Sequence, residues 1–463
     1  MPGEEHRSTD RWRVVVTRCN ESEVLFTESG HFLALPEVQI PCKQRIAWHL
    51  NHQMKRMWRL PVASIMPLPF TSNTMAPVRY HLAESLAPEA GLASNLRWLD
   101  LSVASKQFVL DPQDKSALEG VARSEFRNLE RQGPFVRVGW FQELSLWLRS
   151  AAAALALEWD GDFEQFNATD SFSLIRFATK PRALWFKAVG GTFATEFHVS
   201  KLLSRKLPDF VPRVVATRPE WFAWVTEECP GAALDANSEF ALWRNAATTL
   251  AQLQIESTGL VPELLEAQAH PLNQILSHVA VERFRPIARD VLSANAESDR
   301  ETISESELAD IEAIVRQYIE AATRSQVPDA IGHLDLNSGN VIVSQSRCAY
   351  LDWAEAYVGF PFLSFEYLLQ SFRRFFGVGS AREPEFVETY LSPWESVVPR
   401  HAVRDSWAVT PVLAVFAYFL RCIDRCEGEI LGVPGRVEYL SSLLQKLKRE
   451  AAKAKPLGQG VPR

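Results

Sequence analysis

Apolar and polar positions divide this chain into a strand-rich front, a Leu- and Ala-rich helix, a second strand-rich stretch and a long helical rear. Residues 11–27 (RWRVVVTRCNESEVLFT) predict two strands across a polar turn. A helical stretch follows near 43–58, and RWLDLSV at 97–103 predicts a further strand. Residues 1–135 therefore read as a separate mixed α/β domain ending near Gly133 and Pro134. From Gly139 to about Glu158 the pattern is helical, and 136–159 read as a linker helix. From Asp160 the period shortens to two: FEQFNA, SLIRFAT and ALWFKAV predict three successive strands. Gly190 and Gly191 break the pattern, Thr192 is the expected cap, and a helix runs to about Leu207 before Pro208 and Pro212 stop it. WFAWVTEEC predicts another strand, ending at Pro230 and Gly231. The rest is mainly helical, giving a sheet-plus-helix lobe at 160–230, a helical lobe at 231–450 and a disordered tail at 451–463.

Composition sharpens this outline by exclusion. With 463 residues, 47% of them apolar, the chain can fill roughly three domain or lobe cores. A net charge of −7 argues against a nucleic-acid binder that relies on bulk positive charge. Six cysteines are too sparse for a disulfide scaffold, and Cys422 with Cys426 on one helical face lacks a second pair to complete a zinc set. The charged start shows no secretory signal, and the apolar runs AAAALALEW and PVLAVFAYFL are about half a membrane span. The expectation is a soluble cytoplasmic protein without membrane partners; nothing in the pattern bears on oligomeric state.

The segment LALPE before a helix gives the front domain a faint resemblance to Nudix hydrolases. That family needs clustered metal-binding glutamates, and the helix here, QRIAWHLNHQMKRMWRL, has none. A degenerate, binding or structural version is the expectation, with His49 and His52 at an exposed helix edge.

Three constellations carry chemistry. Val341–Val343 and Ala349–Leu351 predict a hairpin about Ser346, which sets Asn340 opposite Asp352. An amide oxygen beside a carboxylate suits Mg²⁺, and a polar turn closing a hairpin accounts for the same pattern. Asp335, one short loop earlier, is placed to take a proton from an acceptor hydroxyl or to cap its loop. His333 reads as a hydrogen-bonding residue that shapes this loop. Lys187 interrupts an apolar strand, and Glu196 falls on the inward stripe of the next helix with Val199, Leu203 and Leu207. The two predict an ion pair; the alternative is a lysine reaching solvent and a first-turn glutamate favoured by the helix dipole.

In this order HLDLNSGN-VIV and YLDWAEA, with the Lys and Glu upstream, resemble the aminoglycoside phosphotransferase and choline kinase-like family over about residues 160–430. The resemblance implies an α+β, bilobal protein-kinase-like fold behind the front domain, with a β-rich N-lobe and a helical C-lobe. It implies ATP and Mg²⁺, Asp335 as catalytic base, Asn340 and Asp352 as metal ligands, and Lys187 on the phosphates oriented by Glu196. The strand around Thr226, Glu227, Glu228 and Cys229 becomes the inter-lobe connection whose backbone meets adenine. The turn NATDSFS lacks glycine, so Thr169, Ser171 and backbone amides would have to cover the phosphates. Leu334 and Phe360 also depart from the family pattern, the latter in place of an acid for which Glu366 is the nearest replacement.

The expected activity is transfer of phosphate from ATP to a hydroxyl of a small molecule. The alternative is a nucleotide- or ligand-binding sensor without transfer; a protein kinase is disfavoured because Trp353 and Ala354 follow Asp352. Glu355, Glu366, Asp405, Asp424 and Glu427 either attract a cationic acceptor or lie on solvated helix faces.

Overall fold

Period-two burial builds two sheets in the first part of the chain, and helical stripes build the rest. The computed structural model describes residues 9–18, 23–29, 32–42, 44–71, 78–86, 95–100, 103–104, 109–123, 133–295, 303–424 and 435–454. Two compact units result: Met1–Phe197 with Arg213–Glu228, and His198–Pro212 with Cys229–Arg463.

The first unit is sheet-rich. In its eight-stranded sheet Thr9–Thr17 runs parallel to Val78–Ser85 and antiparallel to Glu23–Ser29 and Glu37–Pro41. The predicted front strands and helix appear as Thr9–Thr17, Glu23–Ser29, Leu96–Asp100 and Ile46–Trp58. The second sheet has the order Val214–Arg218, Ala223–Glu227, Leu184–Val189, Phe172–Lys180, Glu158–Ala168. Its edge strand Val214–Arg218 was not among the expected elements. The helix after the double glycine starts with a 3-10 turn at Gly191–Phe193 and continues as Ala194–Lys206. Thr192 lies inside that turn instead of capping the helix; the N–H of Phe193 reaches the Gly190 carbonyl at 2.9 Å.

A separate N-terminal domain is not confirmed. Val15, Phe26, Ile65 and Leu82 share one apolar core with Phe177, Leu184, Phe186 and Val225. The helix Trp140–Ala154 buries Trp140, Leu144 and Leu148 in that core. Each such large side chain contributes roughly 1.5–3 kcal/mol by leaving water. A polar clasp adds register: Gln165 accepts from the Ser64 N–H and donates to the Ser64 carbonyl, both at 2.8 Å. Asn51 donates to the same Gln165 oxygen at 3.1 Å, which fixes Glu158–Ala168 against Val62–Thr71.

His81 is fully buried in this unit beside Trp12, and neither ring nitrogen has a partner among the described residues. Burial pushes its pKa down to about 3 from 6.5. The folded state therefore keeps the ring neutral where the unfolded chain takes up a proton. Stability from this source is whole above the unfolded value and falls with pH below it, by about 1.4 kcal/mol per pH unit at most. His81→Leu should flatten the acid side of a Tm–pH profile between pH 6.5 and 5 by the equivalent of about 2 kcal/mol. An unchanged slope would show that other groups set it.

The second unit is helical around one large core, with two three-stranded ribbons inserted. Its helices include Phe240–Ser257, His278–Ala294, Glu305–Thr323, Phe362–Phe376, Arg400–Asp424 and Arg436–Ala452. Arg400–Asp424 contains the apolar run PVLAVFAYFL and is long and apolar enough to cross a membrane. Val412 to Ala417, Phe419 and Leu420 are nevertheless buried in this unit's core, as in the central helix of a packed bundle. The ribbon Ala330–His333 pairs with Ala356–Gly359, and Val341–Val343 pairs with Cys348–Tyr350. Gly332 is required here, since a Cβ would sit 1.9 Å from the Tyr357 ring. Of the expected tail, Ala451 and Ala452 close the last helix and 455–463 lie outside the described residues, as does Cys426 of the cysteine pair.

Candidate active site

Lys187 lies in the middle of Leu184–Val189, between Leu174 and Trp224 on the neighbouring strands. Its ammonium meets the Glu196 carboxylate at 2.6 Å, with side-chain exposures of 15% and 3%. The ion pair predicted from the two misplaced charges is present. Phe172 covers one side, its ring centre 5.3 Å from the Lys187 nitrogen. A pair this buried is a poor stabiliser by itself, because desolvation offsets much of its attraction, but it holds the ammonium in one place.

The turn between Glu158–Ala168 and Phe172–Lys180 is closed by Thr169. The Thr169 N–H donates to the Phe172 carbonyl at 3.1 Å, and the Thr169 hydroxyl accepts from the amides of Ser171 and Phe172 at 3.2 and 3.1 Å. The Ser171 hydroxyl bonds Asp170 at 3.0 Å, and the Ser171 carbonyl accepts from Gly190 at 3.0 Å. A side-chain hydroxyl thus makes the tight turn without glycine. The Thr169 hydroxyl and two of the amides expected to cover phosphates are already engaged within the turn.

The chain leaves the first unit between Glu228 and Cys229. Both glutamates are committed to the sheet. Glu228 accepts from Arg176 at 2.6 and 3.1 Å and from the Trp185 indole at 3.1 Å; the Arg176 hydrogen bond is the main reason its pKa is lowered. Glu227 meets Arg182 at 2.9 Å and Arg213 at 3.3 Å. Their N–H groups reach the carbonyls of Arg213 and Ala183, both at 3.1 Å, so neither amide is offered to a base.

In the second unit, the octet HLDLNSGN forms a loop clamped at both ends. His333 is 1% exposed and closes Ala330–His333. The Asp335 amide donates to His333 Nδ1 at 3.0 Å, so that nitrogen bears no proton, and Nε2–H donates to the Leu351 carbonyl at 3.2 Å. Burial holds the His333 pKa below its usual value, outweighing the opposing pull of Asp352 and Asp335. The ring is a neutral bracket between the backbones that precede the two aspartates, as its expected shaping role requires. Asn340 donates from Nδ2 to the Asp335 carbonyl at 3.1 Å, which leaves Oδ1 as its outward oxygen. The helix Phe362–Phe376 holds the loop twice: Ser364 accepts from the His333 amide at 2.8 Å and Ser371 from the Ser338 amide at 3.3 Å.

The hairpin register differs by one residue from expectation. Val341 pairs with Tyr350, and Val343 with Cys348, because only Gln345 and Ser346 lie between Ser344 and Arg347, joined at 2.8 Å. Asn340 therefore faces Leu351, whose amide it accepts at 2.9 Å. Asp352 leaves the ribbon through a left-handed backbone, φ 63° and ψ 58°, a conformation aspartate tolerates better than most residues. The Phe360 turn is held by the Tyr357 hydroxyl, which donates to the Phe360 carbonyl at 3.0 Å, and not by an acid. Glu366 engages Arg373 and Gln370 on its own helix, so it does not replace that acid.

Asp335 borders a cavity of about 590 Å³ within the second unit, a size suited to a small molecule. Three helices line it with one face each: Glu366, Gln370 and Arg374 from Phe362–Phe376; Ala414 and Tyr418 from Arg400–Asp424; Tyr439, Leu443 and Lys446 from Arg436–Ala452. Sequence reading missed Arg374, Tyr418, Tyr439 and Lys446. The available signal was a polar residue at helical spacing on otherwise apolar faces, as with Lys446 among Leu443, Leu444 and Leu447. The acidic residues considered for cation attraction are mostly neutralised inside the unit. Glu355 meets Arg421 at 2.6 Å, Glu366 meets Arg373 at 3.2 Å and Asp424 meets Arg283 at 2.7 Å; Glu427 lies outside the described residues. Among the described residues no three His, Cys, Asp or Glu side chains form a metal cluster.

Several solved structures resemble the chain. A choline/ethanolamine kinase family protein from Mesorhizobium loti is 15% identical over 67% of this chain and 98% of its own, with a TM-score of 0.44. Choline kinase from Streptococcus pneumoniae is 16% identical over 67% and 99%, TM-score 0.43. Plasmodium vivax ethanolamine kinase is 12% identical over 73% and 95%, TM-score 0.45. No curated protein matches. A model of the phosphotransferase enzyme family, APH, matches residues 188–404, which contain Glu196, the HLDLNSGN loop and Asp352. By that match and that motif order, residues 188–404 are similar to the phosphotransferase enzyme family.

Proposed function

We propose that the protein is a bilobal, protein-kinase-like small-molecule kinase that transfers the terminal phosphoryl group of ATP to an acceptor hydroxyl. The observation that carries this reading is the clamped loop that sets Asp335 at the wall of a small-molecule cavity. Its amide is fixed by neutral His333 and its carbonyl by Asn340, so the carboxylate can accept the hydroxyl proton as transfer proceeds. Lys187, steadied by Glu196, would meet the nucleotide phosphates. Asn340 Oδ1 and the Asp352 carboxylate are hard oxygen donors of the type magnesium takes when phosphates and water supply the rest. They would hold the ion, which when bound neutralises phosphate charge. Binding and orientation by these side chains would supply most of the rate, since a loose phosphoryl transition state asks little covalent chemistry of the protein.

Asp352→Ala tests the metal assignment. The magnesium concentration for half-maximal Mg-ATP binding, read by titration calorimetry, should rise at least about tenfold, the loss of one charged ligand contact. An unaltered magnesium titration would remove Asp352 from that role.

One observation favours a second reading, a nucleotide sensor without transfer. The Thr169 hydroxyl occupies amides that could otherwise cover phosphates. Mg-ATP binding that no acceptor converts to ADP would support it.

A further inference from the structure

The cavity beside Asp335 carries two cations that no described carboxylate contacts. Lys446 projects from Arg436–Ala452 and Arg374 from Phe362–Phe376, and both line the wall. Among the described residues neither cation has a carboxylate within salt-bridge distance; Arg374 donates only to the Ser371 hydroxyl, at 2.9 Å. Lys446 is partly buried, and burial is the main force lowering its pKa, with Glu366 and Glu450 opposing it from further away. Removing an ammonium from water without a contacting anion is costly.

Of the acids at the same wall, Glu366 is engaged within its own helix. Glu366 accepts from Arg373 Nη1 at 3.2 Å and from Gln370, and its second oxygen is buried with no hydrogen-bond partner among the described residues. Asp235 is exposed, 3.6 Å from the position a Cβ on Gly339 would take. Asp335 is the group proposed to receive the acceptor hydroxyl. Lys446 and Arg374 are therefore the cations at this wall that no described carboxylate contacts, set beside the carboxylates of Asp335 and Asp235. Tyr367, Tyr418 and Tyr439 complete the wall with aromatic faces and hydroxyls, and Tyr439 donates to Tyr418 at 3.3 Å.

We infer that the acceptor is a hydroxylated small molecule that also bears an anionic group, a carboxylate or a phosphate, held by Lys446 and Arg374 while its hydroxyl meets Asp335. This rests on the kinase reading above and runs against a cationic amine as acceptor. An anion at Lys446 would supply the contact partner that the described residues do not, and two cations on different helices would fix its orientation relative to the hydroxyl.

Matched probes that differ chiefly in charge test this: gluconate against glucosamine, and 4-hydroxybutyrate against choline. Each is titrated by calorimetry into the full chain carrying Mg²⁺ and a non-hydrolysable ATP analogue, then assayed for ADP release with Mg-ATP. The expected result is saturable binding of an acid, weakened about tenfold or more in Lys446→Met and in Arg374→Gln, with the KM for Mg-ATP unchanged. Tighter binding of the amines, no binding of either acid, or acid binding unaffected by both substitutions would overturn the inference. Acid binding without ADP formation would leave the charge preference standing and sink the kinase reading instead.

Discussion

Asp335→Asn should lower acceptor-dependent turnover by about 10²–10⁴-fold, the range for loss of a positioned general base, while leaving the Kd for Mg-ATP nearly unchanged. The substitution is nearly isosteric, and the bonds that hold the loop use the Asp335 backbone: its amide to His333 and its carbonyl to Asn340. Thermal stability should therefore be retained, so that lost turnover reads as lost chemistry. Steady-state kinetics beside calorimetry of Mg-ATP binding would check it. Turnover within about threefold of the original, small against the expected loss, would mean that Asp335 is not the base.

Lys187→Met should act on stability and on activity, and the two effects can be separated. The single change leaves Glu196, 3% exposed, without its 2.6 Å partner. Removing one partner of a buried pair costs about 3–5 kcal/mol, less if the carboxyl becomes protonated. If Lys187 also binds phosphate, kcat/KM for Mg-ATP should fall by roughly 10²-fold or more. Pairing it with Glu196→Gln removes the carboxylate charge that Lys187 balanced, so the double variant should regain much of the lost Tm yet none of the lost kcat/KM. Recovery of both together would mean that the pair only holds the helix Ala194–Lys206 to the sheet.

The parts of this account that were legible in the sequence are those written in local patterns. The strands from Glu158 to Val189 show period-two alternation, and their turns are short. Lys187 and Glu196 were identifiable because each puts a charge on an apolar stripe, and the bond between them follows from adjacent elements. His333 was read as a loop-shaping residue, and its two ring bonds give that role a mechanism. The features that escaped depend on contacts distant in sequence or on one-residue geometry. The hairpin register turned on whether two or three residues close the loop after Ser344, and a single step moved Asp352 out of opposition to Asn340. The front region looked separate because its boundary carries Gly133 and Pro134, but its apolar faces share a core with strands more than a hundred residues away. That the Thr169 hydroxyl accepts from two amides of its own turn was not legible either, since the sequence suggests the hydroxyl and not its partners. The cavity is assembled from helices some eighty residues apart, and no local window holds more than a third of it.

These findings also refine how charge in the helical unit is understood. Counting acids along the sequence leaves a cationic ligand open beside solvated helix faces, but the ion pairs of Glu355, Glu366 and Asp424 remove much of that field at short range. Arg374 and Lys446, which no described carboxylate contacts, are ordinary surface-type side chains in the sequence and become informative only where three helices bring them to one wall.

The central claim is that this chain moves phosphate from ATP to a hydroxyl. The most direct test is ADP release from Mg-ATP by the full chain across hydroxylated acids, amines, sugars, nucleosides and antibiotics. The account predicts release that depends on one class of hydroxylated acceptor and yields the phosphorylated product in equal amount. Mg-ATP bound normally, with ADP appearing at the same slow rate whether or not any acceptor is present, would contradict it.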